Sequence, residues 1–220
     1  IRDSDDPGPS LSAIIQIGSV LALLWYFKND IFDSRMQYSK KFFKFLLYER
    51  LFRSILIGTI PIILFGGTIK LFFPYFLEET LRSNLSIALV SFLMAIFMYI
   101  ADSSKKGSIN LNNHNYLDSF LIGFSQAFAI FPGFSRSGIT ISTALVSGWR
   151  RDDAAKFSFL LGIPAISFAA IIEFIFSFNE LNSFGFFPLI VGLTTTFLSS
   201  LFAIDFLLKY ISSNGLKLFI

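Results

Sequence analysis

The sequence predicts an all-α, polytopic integral membrane protein built as a helical bundle. Of its 220 residues, 54% are hydrophobic and only 15% are charged, and the mean hydropathy of +0.66 exceeds what one soluble domain requires. Several apolar runs have the length of a bilayer. One further run is broken in its middle by a proline, two glycines and an arginine, which predicts two half-helices inside the membrane.

Two features of the composition exclude other classes of protein. The chain contains no cysteine, so it forms neither a disulfide nor a thiolate metal site. The net charge of +3 is small and reflects basic loops rather than a basic surface for nucleic acid. The 30 phenylalanines indicate core packing or lipid contact. We therefore expect the membrane, and no nucleic acid, as a partner.

Five segments come near the roughly 20 apolar residues that a membrane-crossing helix requires, some with the help of tilt or a flanking residue. We expect them to form a single transmembrane domain over residues 1–220. In chain order the segments are Leu11 to Phe27, Leu51 to Phe73, Leu85 to Ala101, Phe157 to Phe178 and Phe186 to Ile211.

The segment from Leu117 to Gly148 has a different pattern. It is apolar for half a span, breaks at Pro132 and Gly133, and resumes as an apolar helix from Ile139 to Val146. Two half-helices that meet at a break predict a re-entrant hairpin over about residues 117–148.

The charges of the loops support this hairpin. The positive-inside rule assigns three basic loops to the cytoplasm and leaves the loop from Pro74 to Asn84 outside. Because the loops around Asn110 and Arg150 then share a side, the segment between them must enter and return, with its tip near mid-membrane. The basic residues are Lys28, Arg35, Lys40, Lys41, Lys44, Arg50, Arg53, Lys105, Lys106, Arg150, Arg151 and Lys156.

The predicted tip carries the elements of an anion site. Gly133 and Gly138 permit tight turns and close approach to a ligand. We expect Ser137 to cap a helix that begins near Gly138, with Thr140 three residues further on. The amino end of that half-helix would point unpaired N–H groups and a positive dipole end at an anion.

Two side chains at the tip add chemistry. The guanidinium of Arg136 can hold two phosphate oxygens at once, and the hydroxyl of Ser135 can act as a nucleophile or as a hydrogen-bond donor. The alternative is a simple helix corner with a solvated Ser-Arg-Ser turn. The apolar surroundings favour the functional interpretation, because an arginine at membrane depth usually meets an anion or a cavity.

Three other polar residues receive separate interpretations. Gln126, on the first half-helix, could orient a substrate or a water, and a hydrogen bond between helices is the equal alternative. His114 lies in a polar loop, where a solvated loop histidine is expected rather than a catalytic one. Asp152 is expected to cap the helix that runs through Phe157.

Four stretches carry a resemblance to a known family. They read GFSQAFAIFPGFSRSGITIS from Gly123, DDAAKFSFLLGIP from Asp152, DPGPSLSAIIQIGSVLA from Asp6, and the closing segment from Ala203 to Lys217. Together they resemble the bacterial undecaprenyl-diphosphate phosphatases, the bacitracin-resistance integral membrane family, over essentially the whole chain.

The resemblance implies a hydrolase of the bacterial inner membrane. Such an enzyme removes the terminal phosphate of undecaprenyl diphosphate, recycles the lipid carrier of peptidoglycan synthesis and confers bacitracin resistance. It also implies an inverted repeat of helices, of which SAIIQIGS from Ser12 and SFLLGIPA from Ser158 are a faint internal trace. A homodimer is left open.

The resemblance assigns roles at the tip. Arg136 would bind the diphosphate, Ser135 would belong to the catalytic cluster, and Ser137 with the glycines would shape the phosphate pocket. A divalent cation, Mg²⁺ or Ca²⁺, would bridge oxygens. The first signature of the family, Glu-Gly-x-Thr-Glu-x-x-Pro-x-Ser-Ser-x-Gly-His, does not occur in the chain. We therefore expect the amino-terminal re-entrant segment, with its base and metal ligands, upstream of Ile1, and this chain alone to be inactive.

A second class of function remains open at this point. Broken helices whose amino ends face an anion also form the midplane sites of secondary transporters. A transporter or flippase of an anionic polyprenyl lipid would bind the same group without cleaving it. Release of phosphate separates the two alternatives.

Overall fold

Helices make up most of the residues that a computed structural model describes, which are 8–31, 50–72, 83–104, 107–177 and 186–220. The helices in this part of the chain are α1 (Gly8–Tyr26), α2 (Lys28–Ile31), α3 (Arg50–Phe72), α4 (Asn84–Asp102), α5 (Tyr116–Ala127), α6 (Arg136–Val146), α7 (Arg151–Ser177) and α8 (Phe186–Asn214), with a 3₁₀ turn at Phe128–Ile130. The prediction of an all-α, multi-pass membrane protein is confirmed.

Four of the five predicted spans coincide with helices that are long and apolar enough to cross a bilayer. These helices are α3, α4, α7 and α8. The first predicted span is also a helix, α1, which has 19 residues and includes the apolar stretch Ile15–Tyr26. The basic residues at 35–44 and at 105–106, and most of the acidic loop at 74–84, lie outside the described residues.

The chain divides into two compact units, one formed by Ile1–Ser34 with Ile163–Leu207 and the other by Arg35–Gly162 with Leu208–Ile220. In the first unit small and polar residues join α1 to α8. A Cβ on Gly18 would lie 2.8 Å from the carbonyl oxygen of Leu193, and the hydroxyls of Ser19 and Ser200 are 3.0 Å apart. Close approach through small residues is typical of helix pairs in membranes.

In the second unit α5 and α6 form a hairpin that packs between α3 and α4. The helices α3 and α5 touch through their backbones, since a Cβ on Gly123 would overlap the main chain of Gly58. The helix α4 lies against α6, where the sulfur of Met98 would be 3.0 Å from a Cβ on Gly138. Each arm of the hairpin is therefore supported by one long helix.

The two ends of the hairpin meet, as a segment that enters and returns requires. Ile109 and Trp149 form a parallel bridge. The amide of Ile109 donates to the carbonyl of Gly148 at 3.1 Å, and the amide of Arg150 donates to the carbonyl of Ile109 at 2.9 Å. Residues 109 and 150 consequently lie together at the mouth of the hairpin. That it enters the membrane and returns, and the inverted repeat, stay predictions.

The length of α6 sets the depth of the tip. This helix has 11 residues, which at the helical rise of 1.5 Å per residue separate its ends by about 16 Å. The hydrocarbon core of a bilayer is about 30 Å thick. A hairpin whose mouth lies at one membrane surface therefore places Arg136, the first residue of α6, close to the midplane.

The expectation of a solvated histidine at position 114 is wrong. His114 is fully buried and packs with the rings of Trp149 and Phe157 at centroid distances of 5.1 and 5.8 Å. Its Nε2 shares a hydrogen bond of 2.7 Å with the hydroxyl of Ser54, and Arg50 donates to its carbonyl oxygen. The polar loop folds over the mouth of the hairpin, and His114 fastens that mouth to α3.

This burial predicts that acid destabilises the protein. Burial, and secondly the positive charge of Arg50, lower the pKa of His114 below its usual value of about 6.5. The unfolded state therefore binds the proton first, and the free energy of unfolding should fall as pH drops below about 6.5. Thermal unfolding in detergent between pH 7.5 and 5 measures this loss of stability. His114→Phe should abolish the part of the pH dependence that comes from His114. An unchanged dependence in His114→Phe would contradict it.

The expected cap at Asp152 is also wrong. The amide of Ala154 donates to the carbonyl of Arg150 at 2.8 Å, so the helix α7 begins at Arg151 and Asp152 lies in its first turn. There the carboxylate of Asp152 is stabilised by the positive end of the helix dipole, and it forms an ion pair with Arg150 at 2.8 Å. The next residue, Arg151, joins α7 to the end of α4 through Asp102.

Candidate anion site at the hairpin tip

The backbone of the tip turns within a few residues between α5 and α6. The 3₁₀ turn Phe128–Ile130 follows α5, and Gly133 has a positive φ of 100°, a conformation that residues with a side chain rarely adopt. A Cβ on Gly133 would also lie 2.8 Å from the carbonyl oxygen of Ile87 and 3.0 Å from the side chain of Val90. The predicted role of Gly133 in shaping the tip therefore has a physical basis in both its φ and its contact with α4.

The cap of α6 is Ser135, and the prediction of Ser137 is wrong by two residues. Ser135 has an extended backbone, with φ −73° and ψ 115°, and its hydroxyl oxygen accepts from the amide of Gly138 at 3.1 Å. Helical geometry begins immediately afterwards, which places Ser137 inside the first turn. Ser135 is exposed, so its hydroxyl hydrogen can still be donated to a ligand.

The first turn of α6 offers backbone donors. A helix leaves the first amides of its amino end without intrahelical partners. The hydroxyl oxygen of Ser135 accepts a hydrogen bond from the amide of Gly138. The amide of Ile139 donates to the carbonyl of Ser135 at 2.8 Å. The amides of Arg136 and Ser137 remain for a ligand, at the positive end of the helix dipole.

Arg136 lies against α7. Its Nη1 donates to the carbonyl of Gly162 at 3.2 Å, and among the described residues it forms no ion pair. A guanidinium has five N–H donors, so most of its capacity remains unused. Arg136 is half-buried, and a desolvated positive charge without a counter-ion is costly, so an anionic ligand would supply the missing negative charge.

Thr140 supports the tip from below. Thr140 is 1% exposed. Its hydroxyl contacts the carbonyls of Arg136 and Ser137 at 2.9 and 3.2 Å and the hydroxyl of Ser158 on α7 at 2.6 Å. These bonds hold the first turn of α6 in place. Direct contact between Thr140 and a substrate stays a prediction, as it does for Gly138, which packs on Ser135 and Met98.

Gln126 lies in the last turn of α5, just before the tip. Its side chain is fully buried, and both polar atoms of its amide lack a hydrogen-bond partner among the described residues. Leaving such an amide unpaired costs about 1–3 kcal/mol per group. The missing partners point to a bound water or ligand and argue against the alternative of a hydrogen bond between helices.

The described part of the chain does not offer a ligand set for the expected divalent cation. Within it, no group of three or more His, Asp or Glu side chains lies close enough together to hold a metal ion. The tip itself contributes hydroxyls, amides and a guanidinium, whereas Mg²⁺ and Ca²⁺ prefer carboxylates and other oxygens. The cation stays a prediction.

Two residues that contact the site were not identified from the sequence. Ser158 and Gly162 on α7 touch Thr140 and Arg136. Arg136 and Thr140 are four residues apart, as are Ser158 and Gly162. Because residues four apart lie on one face of a helix, this common spacing is the signal that could have indicated that the two pairs meet.

The sequence is similar to one protein family and to several proteins that share a single name. Residues 2–220 match the family described as Bacitracin resistance protein BacA. An undecaprenyl-diphosphatase of Prochlorococcus marinus strain MIT 9312 is 79% identical over 98% of this chain and 81% of its own length. Those of strains AS9601 and MIT 9313 are 76% and 42% identical, also over 98% of this chain, and over 79% and 73% of their own lengths. The chain therefore belongs to the bacitracin resistance protein BacA family.

Proposed function

We propose that the protein hydrolyses undecaprenyl diphosphate to undecaprenyl phosphate and inorganic phosphate in the bacterial inner membrane. The reaction recycles the lipid carrier for peptidoglycan synthesis and confers resistance to bacitracin. One structural observation supports this proposal independently of the similar sequences. Arg136, which forms no ion pair within the described residues, lies at the amino end of α6 beside two available backbone amides, an arrangement that suits a phosphate group.

The chemistry is transfer of the terminal phosphoryl group to water. The oxygen of water attacks the terminal phosphorus, the bond to the bridging oxygen breaks, and undecaprenyl phosphate leaves. Enzymes achieve this mainly by positioning and by neutralising charge on the phosphoryl oxygens. Arg136 and the amides of Arg136 and Ser137 would supply that neutralisation. The hydroxyl oxygen of Ser135 accepts from the amide of Gly138 with one of its two lone pairs, and its hydrogen is free to be donated, so we assign Ser135 the role of a hydrogen-bond donor.

His114 is not placed to serve as the base. It lies at the mouth of the hairpin, whereas Arg136 lies at the tip. The helix α5, which joins the two levels, has 12 residues and is therefore about 18 Å long. Gln126 lies nearer the tip along the chain, in the last turn of α5, and its buried amide could hold the attacking water through the two groups that lack partners among the described residues.

An aromatic surface beside the tip suits a lipid substrate. The side chains of Phe120, Phe124 and Phe128 are 41–43% exposed and form successive ring contacts along α5 at centroid distances of 6.3 and 6.0 Å. Phe128 in turn contacts Phe134 at 6.1 Å, next to Ser135. A polyprenyl diphosphate needs hydrocarbon contact adjoining an anion site, and this row provides it. A homodimer stays a prediction.

Release of phosphate tests the proposal against transport. The protein, expressed from its complete coding sequence, is reconstituted in liposomes that carry undecaprenyl diphosphate with a labelled isoprenoid chain. We expect inorganic phosphate to appear in step with the loss of the diphosphate lipid. Movement of intact diphosphate lipid between leaflets without phosphate release would instead identify a flippase and contradict the proposal.

A further inference from the structure

The contact between α6 and α7 has a regular pattern around the anion site. Arg136 and Thr140 on α6 are four residues apart, and they meet Gly162 and Ser158 on α7, which are also four residues apart. Residues with this spacing lie on one face of a helix. The two helices are therefore joined at two successive levels, with the upper level at the guanidinium and the lower level at the hydroxyls.

We propose that Gly162 is the positioning residue for Arg136, and that its carbonyl and its lack of a side chain together aim the guanidinium at the substrate diphosphate. This inference rests on the proposed function. Gly162 does not touch substrate in this arrangement. It acts through Arg136 alone.

The space at Gly162 is filled by the guanidinium itself. A Cβ added to Gly162 would meet Nη1, Nη2 and Cζ of Arg136 at 3.1, 3.3 and 3.4 Å, and these are its three nearest atoms. One methyl group would therefore displace the guanidinium by a few tenths of an ångström. A branched side chain would occupy the position of the guanidinium.

The carbonyl of Gly162 also determines which donors remain. It accepts from Nη1 at 3.2 Å, which leaves the edge formed by Nε and Nη2 available. That edge is one of the faces with which arginine binds two phosphate oxygens in parallel. A fixed Nη1 thus orients a bidentate donor pair, and the side chain loses less freedom when the substrate arrives.

Ser158 secures the same arrangement one turn below. Its hydroxyl lies 2.6 Å from that of Thr140, which in turn contacts the carbonyl of Arg136 at 2.9 Å. The main chain of Arg136 is therefore fixed to α7 independently of its side chain. Gly162 has a specific effect on the guanidinium, whereas Ser158 affects the backbone of the whole turn.

Substitutions of graded size at Gly162 test the inference. A guanidinium held away from its position binds the diphosphate less tightly, because part of the binding energy is then spent on reorienting it. We expect Gly162→Ala to raise KM for undecaprenyl diphosphate about threefold and Gly162→Val to raise it at least about tenfold. The matched control is Gly67→Val on α3, where a Cβ would meet nothing within 4 Å, and KM should stay unchanged.

The division between KM and kcat separates positioning from damage to the fold. A folding defect reduces the number of active molecules and so the apparent kcat, without raising KM. In a double-mutant cycle, Gly162→Val should cause no further loss once Arg136 is replaced by Ala, because the group it positions is gone. If Gly162→Val does not fold, Gly162→Ala decides the test, and an unchanged KM in that variant overturns the inference.

The outcomes also distinguish this inference from the proposed function. Loss of activity in Arg136→Ala together with wild-type KM in the Gly162 variants would overturn the positioning role alone. Wild-type phosphate release by Arg136→Ala would overturn the proposed function of the tip, and the positioning role with it. Additive losses in the double variant would show that Gly162 acts elsewhere.

Discussion

Replacing Arg136 with Ala should reduce kcat/KM for phosphate release from undecaprenyl diphosphate by about 100-fold to 1000-fold. Removal of one preorganised donor that stabilises transition-state charge typically has an effect of this size. Arg136 would contribute a charge and two donors, since Nη1 is already held by Gly162. Initial rates of phosphate release in liposomes, for protein expressed from its complete coding sequence, provide the measurement.

Two further variants control this result. Arg150→Ala removes an arginine whose side chain is 53% exposed and whose ion pair with Asp152 contributes little at a surface, so its activity should equal that of the wild type. Arg136→Lys keeps the charge but loses the bidentate fork, and its activity should fall between those of the wild type and Arg136→Ala. Equal activity of Arg136→Ala and the wild type would eliminate the tip as the phosphate site.

Replacing Gly123 with Leu should prevent the hairpin from folding. A Cβ at this position would overlap the carbonyl oxygen, Cα and carbonyl carbon of Gly58, so α3 and α5 would have to separate along their contact. Overpacking of a tight contact costs about 1–3 kcal/mol and at times more, and here no flexible side chain can yield. We expect a loss of at least about 3 kcal/mol in the free energy of unfolding, measured by unfolding in detergent.

The control for this variant is Gly67→Leu. Gly67 lies on the same helix as Gly58, and a Cβ there would meet nothing within 4 Å. The substitution adds the same side chain without forcing α3 away from α5, so the unfolding midpoint should stay close to that of the wild type. Equal midpoints for Gly123→Leu and the wild type would contradict the backbone contact between α3 and α5.

The helices were predictable because hydropathy and length constrain a membrane span directly. Four of the predicted spans coincide with helices long and apolar enough to cross a bilayer, because an apolar run of that length satisfies its backbone there as a helix. The hairpin followed from a different argument, in which Pro132 and Gly133 break the helix and the loop charges require its ends to share a side. The bridge between Ile109 and Trp149 was not predictable, because no periodicity of the sequence encodes it.

The errors have physical causes of their own. Two serines two residues apart could each cap α6, and only the extended backbone of Ser135 decides between them. His114 lies among asparagines in a loop, and its burial depends on Trp149 and Phe157, both more than 30 positions away in the chain. The contact of Gly162 with Arg136 was not predictable from neighbouring residues either, since Arg136 belongs to another helix.

Solid-state NMR gives the most direct test that Arg136 holds the diphosphate. The protein is labelled with ¹⁵N at arginine side chains and loaded with a polyprenyl methylenediphosphonate, which cannot be hydrolysed. We expect ³¹P to dephase one guanidinium signal, at an N to P distance of about 4 Å that corresponds to charge-assisted hydrogen bonds. The effect should disappear in Arg136→Lys. No dephasing in the wild type, or the same dephasing in Arg136→Lys, would contradict a diphosphate held at the hairpin tip.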